Sequence, residues 1–242
     1  MRSIIVTGAS SGIGRATAEL FLTEGWTVGV LARGADKLAE MAARHPNAVP
    51  LPADVTEPEA VQNAFQAFMD QAGKLDVLFN NAGIFASGGT IDELALDAWY
   101  QSVNVNLNGM FLCAREAFRI MRHQEPQGGR IINNGSIAAH VPRPNSVHYA
   151  TTKHAITGLT RSLSLDGRDY GIACGQIDIG NARTQMVQDL VDSAIAAGQQ
   201  PDPTMAVEDA ARSVLHMANL PPEANVQFMT VMATTMPYIG RG

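Results

Sequence analysis

The sequence predicts an α/β fold, a doubly wound, mostly parallel sheet with helices on both faces, built as one domain over residues 1–242. Three observations predict it. Short apolar runs of strand type alternate with longer segments of helical spacing along the whole chain, the first run leads straight into a glycine-rich turn, and no linker-like composition divides the sequence. Alternation of this kind makes βαβ units with right-handed crossovers, and ligands lie outside the C-terminal ends of the strands, where strand order reverses.

The elements follow in order. Ile4, Ile5 and Val6 form the first strand-like run. A helix begins at Gly12, with Ala16, Leu20 and Phe21 on one side and Gly25 as its stop. Further strand-like runs lie near 26–31, 48–51, 75–79, 129–134, 172–177 and 226–231. Helical spacing covers 36–44, 57–72, 97–122, 148–169 and 205–219. Residues 180–204, with Gly180, Gly198, Pro201 and Pro203, read as an excursion long enough to serve as a lid. The segments 97–122 and 148–169 carry apolar residues on more than one side, and VQFMTVMATTMPYIG is apolar for a free tail, so subunit contacts are expected.

Composition narrows the function. A hydrophobic content of 46% with 17% charged residues is that of an ordinary globular chain and argues against disorder. A net charge of −6 without any basic stripe argues against nucleic acid or anionic lipid as a partner. The first apolar run stops at Thr7, too soon for a signal peptide, and no stretch approaches a membrane span, so a cytoplasmic protein with no membrane partner is expected. Cys113 and Cys174 stand far apart with no Cys or His at ligand spacing; buried thiols are expected, and neither a disulfide nor a metal site.

Two local patterns carry chemistry. In VTGASSGIGRATAEL, Gly8, Gly12 and Gly14 sit between a strand and a helix, so the first helical amides and the helix dipole can face a phosphate. Taken alone, a tight turn that binds nothing explains the stretch equally well. The spacing, T-G-x-x-x-G-x-G from Thr7 to Gly14, differs from the G-x-G-x-x-G fingerprint. Far downstream, YATTK puts Tyr149 and Lys153 on one helical face. An ammonium there favours phenolate and draws the phenol down from about 10 toward neutrality, which makes a general acid or base. Alone, that pair also describes a solvated helix face.

Together with ADV at 53–55, NNAG at 80–83, VNVNLNGMF at 103–111 and INNGSIAA at 132–139, these motifs resemble the short-chain dehydrogenases/reductases over essentially the whole chain. The resemblance implies a Rossmann-type sheet of about seven strands, a nicotinamide dinucleotide, and hydride transfer between an alcohol and a carbonyl. It implies Tyr149 as general acid/base, Ser136 as hydrogen-bond partner of the reacting oxygen, Lys153 as modulator of Tyr149 and binder of the nicotinamide ribose, and Asn106 as holder of a proton-relaying water. The pyrophosphate would lie on Gly8, Gly12 and Gly14, with Ser10 and Ser11 in the same turn and Ile13 beneath the ribose and nicotinamide half. Asp54 and Val55 would meet the adenine, Asn80, Ala82 and Gly83 the adenosine ribose, and Thr184 the carboxamide. Of Asn80 and Asn81, one is expected to lock neighbouring strands rather than touch ligand. The family's Pro-Gly before the threonine is here IGNART, with Ile179 in place of Pro, which weakens the carry-over to Thr184.

Cofactor choice turns on VLARGADK. Ala32 stands where an acid would select NAD, and Arg33 follows, which favours NADP; Ser11, where a second basic residue would help, and nearby Asp36 keep NAD open. Ile84, Phe85, Ala86, Ile137, Ala138, His140, Val141 and residues 185–195, including Met186 and Val187, would wall a mainly apolar pocket. That pocket suits an uncharged ketone or secondary alcohol, cyclic or aromatic. His140 and His148 read as pocket-edge and surface residues, and Arg143 as a solvated loop arginine unless it meets an anion. A small-molecule substrate and a homo-oligomer, tetramer or dimer, complete the expectation. A dinucleotide-binding regulator or scaffold without turnover is the alternative.

Overall fold

The chain runs β1 (Ser3–Thr7), α1 (Gly12–Thr23), β2 (Thr27–Ala32), α2 (Ala35–Arg44), β3 (Ala48–Pro52), α3 (Pro58–Ala72) and β4 (Val77–Asn80). It continues through α4 (Leu96–Val103), α5 (Met110–His123), β5 (Gly129–Asn134), α6 (Val147–Asp166), β6 (Ile172–Gly180), α7 (Gln185–Ala196), α8 (Val207–Asn219) and β7 (Phe228–Met232). This is a computed structural model, and it describes residues 2–196 and 198–239. Residues 1, 197 and 240–242, which belong to the expected domain, lid and tail, lie outside the described residues, as do the side chains of 190 and 193 in the expected lid.

All seven strands pair in parallel, in the order β3-β2-β1-β4-β5-β6-β7. The chain steps outward from β1 to β3, then crosses back to β4 on the other side of β1. Strand order therefore reverses between β1 and β4, and a crevice opens at their C-terminal ends.

Every residue of β1 is buried because helices cover both faces of the sheet. The pleat sends alternate side chains into two cores. Ile4 and Val6 pack with Phe21 and Leu22 of α1 and Val214 and Met217 of α8. Ile5 packs on the other face with Phe65 and Phe68 of α3 and Cys113 and Met121 of α5. Phe21, Phe65 and Phe68 are fully buried, each contributing on the order of 1.5–3 kcal/mol of apolar transfer.

Three departures from the expected elements bear on the site. The helix expected over 97–122 is a continuous rod, but its middle, Asn104–Gly109, widens into a π-helical turn between α4 and α5. Strand β6 runs three residues past the expected 177, so Asp178 and Ile179 belong to the sheet and Gly180, expected in the excursion, ends the strand. The excursion itself contains α7 and is closed at its base by a bridge between Ala182 and Met205.

Candidate active site

The crevice is a cleft of about 600 Å³. Its floor is backbone. A Cβ on Gly14 would overlap the Gly8 carbonyl oxygen and sit 2.6 Å from the Asn81 amide nitrogen, so only glycine lets the turn fold this tightly onto the start of α1. Ser11 precedes that helix without a side-chain capping bond, which leaves the first amides facing the cleft for an anion. These features fit a dinucleotide pyrophosphate.

The strand ends around the cleft are stapled together. Thr7 Oγ1 accepts from the amides of Asn81 and Ala82, each at 2.8 Å, and Asn81 Nδ2 donates back to the Thr7 carbonyl at 2.8 Å. Asn134 Nδ2 donates to Asn81 Oδ1 at 2.8 Å, and the Asn134 carbonyl accepts from Lys153 Nζ at 2.7 Å. One chain of hydrogen bonds thus links β1, β4 and β5 to α6 and fixes where Lys153 ends.

Ser136, Tyr149 and Lys153 converge at one side of the cleft. Ser136 follows β5 and caps a short 3₁₀ turn, its Oγ accepting from the Ala138 amide at 3.1 Å. The Lys153 ammonium lies 5.6 Å from the centroid of the Tyr149 ring, one turn along α6. Burial pushes Lys153 down from 10.5 to about 8, opposed by the negative charge of Asp178. Burial also pushes the Tyr149 phenol above its ordinary value; the Ser136 hydrogen bond and the positive charge of Arg143 pull it down, and Asp178 adds to the rise. This corrects the expectation that Lys153 draws the phenol toward neutrality. Enclosure disfavours the phenolate more than its neighbours restore it, and the Lys153 ammonium is engaged by the Asn134 carbonyl.

Most expected cofactor residues line the cleft: Gly8, Ser10, Ser11, Gly12, Ile13, Gly14, Arg33, Asp54, Val55, Ala82, Gly83 and Thr184. Arg33, Asp54 and Val55 stand at the ends of β2 and β3, away from Ser136 and Tyr149. Asn80 takes the strand-locking role and not the ribose contact: fully buried, it donates to the Met110 carbonyl at 2.8 Å and to Asn133 Oδ1 at 3.2 Å, and locks β4 to its neighbours. As the last residue of β4 it points into the sheet, and Asn81 faces the cleft in its stead. Asn106 sits in the π turn with its amide engaged, Oδ1 accepting from Ile84 N at 2.8 Å and Nδ2 donating to the Ile84 carbonyl at 2.9 Å. That side chain holds the cleft wall at Ile84.

Three polar residues differ from the sequence reading. His148 is fully buried against Phe85, at a ring separation of 5.4 Å, and not on the surface; burial lowers its pKa, partly offset by the Ala86 backbone. Arg143 lines the cleft, so the substrate side is not wholly apolar. Asp178, missed altogether, is a buried carboxylate behind Ser136. Its one sequence signal is an acid inside the otherwise apolar end of a strand.

A glycine-floored phosphate cradle at the reversal of a parallel sheet, beside a serine, a tyrosine and a lysine, defines a nucleotide-dependent α/β oxidoreductase. The short chain dehydrogenase family model matches residues 2–194, and the chain belongs to that family. A 3beta-hydroxysteroid dehydrogenase of Mediterraneibacter gnavus is 38% identical over 178 residues, 72% of this chain and 63% of that protein. A cis-4-hydroxycyclohexanecarboxylate dehydrogenase of Sinomonas cyclohexanicum is 34% identical, covering 90% of this chain and 89% of its own. Among solved structures, ElxO with NADP bound superposes with a TM-score of 0.85 at 26% identity, covering 96% of this chain and 97% of its own. The fold also matches a 3-ketoacyl-(acyl-carrier-protein) reductase from Brucella melitensis complexed with NADH, at a TM-score of 0.86 and 23% identity, over 96% of each chain. No helix among the described residues is long and apolar enough to cross a membrane.

Proposed function

We propose that this chain exchanges hydride between a nicotinamide dinucleotide and a small ketone or secondary alcohol on an apolar, ring-bearing body, with Tyr149 as general acid/base. The convergence of Ser136, Tyr149 and Lys153 on the cleft with the glycine floor carries this reading. Gly8, Gly12, Gly14 and Thr184 would hold the dinucleotide, which would supply or accept the hydride. In reduction Tyr149 gives its phenolic proton to the carbonyl oxygen, and in oxidation it takes the hydroxyl proton. The Ser136 hydroxyl donates to the same oxygen as negative charge grows on it. Lys153, held by the Asn134 carbonyl one turn along α6 from Tyr149, would bind the nicotinamide ribose. Asn106 holds Ile84 and so the wall above them.

The apolar lining by Ile84, Phe85, Ile137, Met186 and Val187 supports a ring-shaped substrate, as do the relatives named for a hydroxysteroid and a hydroxycyclohexanecarboxylate. Arg33 in the cleft next to Ala32 supports NADP over NAD. Residues 180–204 act as the lid of a single domain, hinged where the Ala182–Met205 bridge closes their base. Exposed Leu96, Tyr100 and Phe111 on the α4–α5 rod support a homo-oligomer, tetramer or dimer.

Each reduced cofactor is mixed with a panel of cyclic and aromatic ketones and the loss of reduced-nicotinamide absorbance is followed. Turnover supports the reading. Tight cofactor binding with no turnover on any ketone overturns it in favour of a regulator.

A further inference from the structure

Around Ser136 and Tyr149 the cleft combines apolar side chains with neutral polar ones, among them Gln101, Ser146, Asn181 and Gln185, and holds one exposed cation. Among the described residues, its lining there holds no carboxylate, and Lys153 is buried with its ammonium on the Asn134 carbonyl. Arg143 is different. Its side chain is 35% exposed, and its Nη2 donates to Asn181 Oδ1 at 2.8 Å and lies 3.4 Å from Asp202. The Nη1 and Nε hydrogens have no acceptor among the described residues.

The backbone on both sides is built to present this group. Pro142 and Pro144 flank it and fix their own φ. The Arg143 carbonyl accepts from Ser146 Oγ at 2.7 Å, and the Asn145 carbonyl accepts from Gly89 N at 3.3 Å, so the loop is pinned at two points. Asn181, which grips the guanidinium, sits at φ +52, a left-handed conformation that Asn tolerates better than other side chains. The Met205 amide holds it there through the Asn181 carbonyl, at 3.0 Å.

We propose that Arg143 binds a carboxylate on the substrate, so that the molecule taken is a ring-bearing hydroxy or keto acid rather than a neutral alcohol or ketone. The inference rests on the alcohol–carbonyl chemistry proposed above. An apolar wall with a single preorganised cation complements an apolar ring carrying one anion. A carboxylate loses more by desolvation in such a pocket than a neutral group unless a cation meets it. Asp202, near Nη2, offsets part of the guanidinium charge and helps orient it, which leaves the Nη1 and Nε edge to meet a carboxylate. The positive charge also reaches the Tyr149 phenol, which places it near the reacting atoms.

The test compares cis-4-hydroxycyclohexanecarboxylate with cyclohexanol as substrates for the wild type, Arg143→Gln and Arg143→Lys. The wild type favours the carboxylate in kcat/KM. Arg143→Gln lowers the ratio of carboxylate to neutral kcat/KM about tenfold or more, and Arg143→Lys restores part of it. An unchanged ratio, an equal loss on both substrates, or a loss in cofactor affinity alone overturns the assignment and leaves Arg143 as a clamp between loop and lid. Calorimetric titration of the cofactor-loaded protein with cyclohexanecarboxylate separates this from the parent reading. Binding lost in Arg143→Gln supports the anion site even if no alcohol turns over, and no binding to the wild type overturns it.

Discussion

The backbone N–H of Ser136 donates to Asp178 Oδ1 at 2.9 Å, which ties the serine at the end of β5 to a carboxylate buried in β6. The same oxygen accepts from Gln176 Nε2 at 2.7 Å, and His140 Nε2 lies 2.8 Å from Asp178 Oδ2. Asp178 is 1% exposed, and a Cβ on Gly135 would overlap its carboxylate, so strand and turn are shaped around this charge. The turn that carries Ser136 is thus held from beneath by charge-assisted hydrogen bonds.

Asp178→Asn keeps the volume and removes the charge: its amide oxygen still accepts from Ser136 and Gln176 while its Nδ2 faces His140 Nε2, so the charge-assisted part of each bond is lost. Loss of one such bond corresponds to roughly 1.5–3 kcal/mol, and kcat falls about tenfold to a hundredfold through misplacement of Ser136. The negative charge raises both Tyr149 and Lys153, so its removal also moves the pH–rate profile to lower pH. Initial rates across pH check both effects. A merely structural role lowers stability and leaves the profile where it was.

Lys153 titrates at about 8 when folded and near 10.5 when unfolded. Between those values the unfolded chain keeps a proton that the folded chain has released, so stability from this group rises with pH. Below the window the penalty of a buried ammonium is fully present. Denaturant unfolding of the wild type and Lys153→Met checks this: the wild type gains about 3 kcal/mol relative to the variant from about pH 7 to above the unfolded value. Cys113 and Cys174, each pushed up to about 12 by burial, lower stability at high pH in both proteins and cancel in the difference.

Arg33 is exposed at the end of β2 and lines the cleft. A 2′-phosphate there gains a charge-assisted contact that NAD lacks, with salt screening limiting it. Arg33→Gln lowers the ratio of NADP to NAD affinity about tenfold at low ionic strength, measured by nicotinamide fluorescence titration.

Much of the site was legible because the constraints are local. The turn from Thr7 to Gly14 announces its tight backbone, and the spacing of Tyr149 and Lys153 places both on one turn of α6. What the sequence hid depends on partners distant in the chain. Asn80 and Asn81 are adjacent and chemically identical, and only the pleat at the end of β4 decides which faces the cleft. The π turn at Asn104–Gly109 carries Asn106, which grips Ile84, a contact that no periodicity encodes. His148 lies on the same helix as Tyr149, and its burial follows from Phe85 packing over it. The direction of the Tyr149 shift was misread because one helical neighbour was weighed without the desolvation of the assembled cleft.

Tyr149→Phe removes the proton donor while keeping the ring that packs 5.2 Å from Phe85. The account predicts a fall in kcat of about 10²–10⁴-fold, with cofactor affinity nearly unchanged, measured by single-turnover absorbance and cofactor titration on the same preparations. Equal rates in the two proteins would contradict it, because the proton would then come from another group.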